Sequence, residues 1–64
     1  MKPHKLEDFE INQKYKVVTG NDTFPKGCIL MRDIAGYGIQ LLGCGMLEPE
    51  DIPEGIKGIE IIKL

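Results

Sequence analysis

The sequence predicts a small all-β domain, a five-stranded barrel with one 3₁₀ turn before its last strand. Three observations lead there. Short β-branched and aliphatic runs alternate with breaks rich in Gly, Asn and Pro along the whole chain. No segment carries an amphipathic stripe of helix length. A chain of 64 residues holds the few short strands of a barrel but hardly the roughly seven of a sandwich.

The elements follow in order. Residues 1–5 read as a loose leader and residues 1–8 together as an N-terminal arm, with one domain over residues 9–64. Leu6, Phe9 and Ile11 stand among acidic residues and suit either a helical turn or an extended arm. Asn12-Gln13 is a turn. Lys14 to Thr19 is the first firm strand, with Tyr15, Val17 and Thr19 on one face and Lys14 and Lys16 on the other. Gly20 to Gly27 is a loop dense in turn formers, with Phe24 folded back onto the core as its anchor. Cys28 to Ile34 forms the second strand, Ala35-Gly36-Tyr37-Gly38 a tight hairpin connection, and Ile39 to Leu42 the third strand. Gly43-Cys44-Gly45 breaks the ladder and Met46 to Glu48 resumes it. Pro49 and Pro53 forbid a long helix, so a single 3₁₀ turn is expected around Glu50-Asp51-Ile52. Lys57 to Leu64 closes the chain as the last strand, with Ile59 and Ile61 on one side of it.

This order of parts resembles the SH3-like barrel. The residues that carry the likeness are Tyr15-Lys16-Val17-Val18, Phe24-Pro25-Lys26-Gly27, the run from Cys28 to Leu42, Glu50-Asp51-Ile52 and Ile59-Glu60-Ile61. The pattern is similar to small SH3-like proteins of phages and mobile elements of Gram-positive bacteria. The resemblance implies the fold and a binding role, such as an accessory protein that modulates a host factor. Two departures narrow it. The chain has no Trp, and Phe9, Tyr15, Phe24 and Tyr37 are too few to fill a core and also line a groove for proline-rich peptides. Nor does it carry the basic loop of the SH3-like modules in transcription and ribosomal proteins.

Composition bounds the function. Ten acidic against eight basic residues leave a net charge of −2, which supplies no overall field to draw a polyanion. The basic start, Met1-Lys2-Pro3-His4-Lys5, has no apolar stretch behind it, and no segment is long enough to span a membrane. A cytoplasmic protein without membrane contact is the expectation. Cys28 and Cys44 lack the spacing of a metal or redox motif, so packed, reduced thiols are expected. No metal, cofactor or catalytic residue is predicted. His4 has no Ser, Cys or Asp partner at a triad spacing, and the two glycine clusters neither open a helix nor end in Lys-Ser/Thr. The chain is read as a non-enzyme.

Binding surfaces remain. Glu48, Glu50, Asp51 and Glu54 form an acidic turn, either solvated or facing a basic partner. Lys14, Lys16, Lys26 and Arg32, with Tyr15 and Phe24 nearby, are the basic set a single-strand nucleic-acid binder would use. Ile61 and Ile62 are adjacent, as are Leu41 and Leu42, and Met46 and Leu47. Neighbours on a strand face opposite ways, so one of Ile61 and Ile62 belongs to the core and the other near the surface. Tyr37, Met46, Glu48, Glu50, Asp51, Ile61 and Ile62 are therefore the candidate partner-binding residues. The reading is a protein–protein interaction module or self-associating domain. A nucleic-acid- or ribosome-associated module and a structural, oligomerising domain are the alternatives.

Overall fold

The computed structural model describes residues 1–33, 38–42 and 45–64. Five antiparallel strands form one sheet: β1 (Lys14–Thr19), β2 (Ile29–Arg32), β3 (Ile39–Leu41), β4 (Gly45–Leu47) and β5 (Glu60–Lys63). β1 to β4 meander, and β5 returns to the far side of β1, giving the order β4-β3-β2-β1-β5. The sheet thus has two ends, β4 and β5, and no ladder joins them among the described residues. Among the described residues the chain forms an open five-stranded sheet with one covered face, where a barrel was expected.

Alternation on β1 sets the two faces. Tyr15 and Val17 are buried while Lys14 and Lys16 are exposed. Thr19, expected beside Tyr15 and Val17, is exposed, because a register shift between Val17 and Thr19 breaks the alternation. Beyond the strands, Cys28 precedes β2, Gly45 opens β4 with φ 122°, and Lys57 to Ile59 stay outside β5. The hairpin connection at Ala35-Gly36-Tyr37 and the break at Gly43-Cys44 lie outside the described residues. The Asp33 amide donates to the Gly38 carbonyl across the β2–β3 connection at 2.9 Å.

Among the described residues, ten side chains make the core: Phe9, Tyr15, Val17, Phe24, Leu30, Ile39, Ile52, Ile56, Ile59 and Ile61. Half come from strands. Phe24 is the loop anchor its position suggested. Phe9 meets Tyr15 edge to face at 5.3 Å between ring centres, a favoured aromatic geometry. The cover over the sheet comes from the segment between β4 and β5. A 3₁₀ turn (Pro49–Asp51) runs into a single α-helical turn, α1 (Ile52–Gly55), where a 3₁₀ turn alone was expected. Each proline sits in the first turn of its helix, where a missing N–H breaks no bond. Ile52 in α1, Ile56 at its C-terminal cap and Ile59 just before β5 are all buried. Gly58, at φ 79°, turns the chain out of this segment toward β5.

The N-terminal segment is tied down rather than loose. Leu6–Asp8 is a 3₁₀ turn, Pro3 is buried, and Leu6 packs on the core. Met1 and Ile61 exchange two backbone hydrogen bonds of 2.9 Å.

Candidate interaction face

The ladder registers define the outer face residue by residue. Lys14 pairs with Met31, Met31 with Gln40, and Gln40 with Met46, a row crossing four strands. A second row runs from Ile62 through Lys16 to Ile29. The neighbouring inner row, Tyr15, Leu30 and Leu41, is buried or packed on the core. Lys14, Lys16, Gln40, Met46 and Ile62 are all exposed, and Met31 and Ile29 are half-buried. Ile62 and Met46 leave 48% and 49% of their surface open. Val18, in the β1 irregularity, is 39% exposed. The solvated side of the sheet therefore mixes lysines with aliphatic and methionine side chains that the core does not use.

Ile61 and Ile62 divide as alternation requires. Ile61 is 0% exposed and pairs with Val17 on the inner face. It lies out of a partner's reach, and of the two only Ile62 joins the face.

The acidic cluster is elsewhere. Glu48, Glu50, Asp51 and Glu54 are all exposed in the turn after β4. The Glu48 backbone caps the 3₁₀ turn, its carbonyl accepting from the Asp51 amide at 3.0 Å. Tyr37 lies outside the described residues.

The basic set separates. Lys14 and Lys16 stand on the outer face, with Lys26 exposed in the loop beyond the end of β1. No carboxylate among the described residues pairs with any of the three. Arg32 lies in the inner register beside Ile39; its Nη1 donates to the Phe9 carbonyl at 2.9 Å, and its buried Nε has no partner among the described residues. Tyr15 and Phe24 are buried. The aromatics that would stack bases thus lie on the opposite side from the lysines.

Sequence reasoning passed over Asn21, read only as a turn former. Its Nδ2 donates to the carbonyls of Gly55 and Lys57, both at 2.9 Å, and its Oδ1 accepts from the Thr23 and Phe24 amides. One side chain pins the β1–β2 loop to the α1–β5 connection. The Asn-x-Thr-Phe spacing signals the local Asx turn, but nothing local signals the two distant carbonyls.

Two ionisable contacts fasten the N-terminal segment. Lys63 forms an ion pair with Glu10, which holds the ammonium above its ordinary range. Asp8 is held below the usual carboxylate range, chiefly by the His4 amide that donates to it at 2.8 Å. Cys28 is half-buried and packs on the core; Cys44 lies outside the described residues. Among the described residues no three His, Cys, Asp or Glu side chains are grouped to hold a metal. No described helix is long and apolar enough to cross a membrane.

No protein family, curated protein or solved structure matches the chain. The class of the molecule is therefore set by its own geometry: a small antiparallel sheet, covered on one face, with a lysine-bearing apolar row on the other.

Proposed function

We propose that the chain is a non-enzymatic protein-interaction module of SH3-like architecture that meets its partner through the outer face of the sheet. The observation that carries this is the pair of registered rows on the outer face. Ile62 is half exposed beside Lys16 at one edge of the sheet, and Met46 is half exposed at the other, at the far end of the row that starts at Lys14. Large apolar side chains left on a solvated sheet face contribute little to folding and can contribute much to an interface. The four-strand meander, the return of β5 to β1 and the 3₁₀ turn before it support the SH3-like arrangement. A role as a phage or mobile-element accessory, modulating a host factor in the cytoplasm, rests on the strand and turn resemblance.

The test is affinity capture from a lysate of the source organism by the tagged wild-type chain and by Ile62→Asp and Met46→Asp. Both variants are expected to fold and to lose the proteins that the wild type retains. Retention of the same proteins by both variants would refute the outer-face reading. Capture that disappears on nuclease treatment would move the assignment to the nucleic-acid-associated alternative.

A further inference from the structure

We infer that the groove between Ile62 of β5 and the Lys26–Gly27 turn receives an acidic segment of a partner protein, anchored by one large apolar side chain. This rests on the protein-interaction reading and gives its partner a chemistry. The groove is lined by Lys16, Val17, Val18, Lys26, Gly27 and Ile62 and has a volume of about 480 Å³. That is room for a bulky side chain with its flanking backbone.

Its construction is specific. The register shift between Val17 and Thr19 opens the ladder beside β5, and the Gly27 amide donates to the Val17 carbonyl at 2.8 Å, closing the other side. Gly27 has φ 91° and no side chain to fill the space. Val18 and Ile62 supply an aliphatic surface, and both remain more than a third exposed. Lys16 and Lys26 flank it, with no carboxylate of the described chain paired to either.

The groove therefore carries a sign opposite to the chain's net charge of −2, whose acidic excess lies in the turn from Glu48 to Glu54. Two lysines beside an apolar floor match carboxylates beside an apolar anchor. Nucleic acid suits the groove less well. Its bases need aromatic faces for stacking, and the lining has none; phosphates alone would leave the Val18–Ile62 surface unused.

The experiment titrates the ¹⁵N-labelled full chain with a synthetic peptide of one Leu-Phe pair flanked on both sides by glutamates. A glutamate-only peptide, a lysine-flanked Leu-Phe peptide and oligothymidylate serve as comparisons. We expect shifts concentrated at the amides of Lys16, Val18, Gly27 and Ile62, weakened by salt as exposed charge pairs require. The doubly substituted Lys16→Glu/Lys26→Glu chain should bind roughly tenfold or more weakly, since two attractive pairs become repulsive. Both lysines are exposed, and an unchanged spectrum elsewhere will show that this variant folds. No shift at these amides up to ~1 mM peptide, equal binding of the lysine-flanked peptide, or tighter binding of oligothymidylate would overturn the inference. If capture still depends on Ile62 and Met46 while the acidic peptide leaves these amides unmoved, the acidic-segment inference falls and the interaction-module reading stands.

Discussion

Asn21 shows how much one short polar side chain can hold. Its amide group makes four hydrogen bonds, two with the Thr23 and Phe24 amides of its own loop and two to carbonyls more than thirty residues away in sequence. Replacing it with Ala leaves two amides and two carbonyls in search of water, and is expected to cost about 1–3 kcal/mol in urea unfolding. Asn21→Asp keeps the acceptor but loses both donors and faces a charge toward the Gly55 and Lys57 carbonyls. It should be at least as destabilised at neutral pH. A variant of unchanged stability would mean that the bridge carries no load. Gly20, at the start of the same loop, is needed for a different reason. A Cβ there would lie 2.5 Å from the Lys26 nitrogen and 2.5 Å from the Phe24 oxygen. Both obstacles are backbone, so Gly20→Ala should displace the loop and lower stability by about 1–3 kcal/mol, read from the same unfolding curves.

The last strand and the first turn each test a whole element. On β5, Ile61→Asp places an unpaired carboxylate in the core, a cost of several kcal/mol that rivals the total stability of a domain this small. It should unfold the chain. Ile62→Asp, one residue on, should melt within a few degrees of wild type. Equal unfolding by both variants would assign Ile62 to the core and remove it from the interaction face. In the turn Leu6–Asp8, the Asp8 carboxylate accepts from the amides of His4 and Lys5, and the first of these is the main reason its pKa is lowered. A lowered folded pKa means that this contribution is complete above the ordinary carboxylate range and is lost as pH falls through the lowered value. Protection of the His4 and Lys5 amides, taken relative to their intrinsic exchange at each pH, should therefore stay constant from neutral pH down to about pH 4 and fall below it. In Asp8→Asn that acid-linked step should be missing. Persistence of the step in the variant would place its origin in another group.

Across the whole molecule the two sheet faces have separate duties. The inner face, the helical turn and the N-terminal segment enclose, among the described residues, ten buried hydrophobic side chains, which for this length is a thin core. The outer face keeps its lysines and spare apolar groups in water. Far-UV circular dichroism should accordingly show strand with little helix, since α1 is a single turn. A helix-dominated spectrum would contradict the architecture outright. The outer-face variants should leave that spectrum unchanged while altering association, which is the signature of a surface that folding does not require.

Local chemistry made part of this legible in the residues. β1 was readable to its ends because Lys14 to Val17 alternates charged with aromatic or β-branched side chains and Val18 and Thr19 continue the β-branched run. Phe24 was readable as an anchor because a large aromatic amid turn formers has nowhere else to go, and the division of Ile61 from Ile62 follows from strand period alone. The helical turn at Ile52–Gly55 was hidden by Pro49, Pro53 and Gly55, which argue against helix one by one while permitting a single turn together. Other features depend on contacts between distant segments. The clamp from Asn21 to Gly55 and Lys57, the tie of Met1 to Ile61, the inward turn of Arg32 to Phe9 and the groove at Val18 and Ile62 all join parts far apart in sequence. Backbone carbonyls are the same at every position, so no residue pattern announces which of them a side chain will meet; that is settled only when packing of the core brings the segments together.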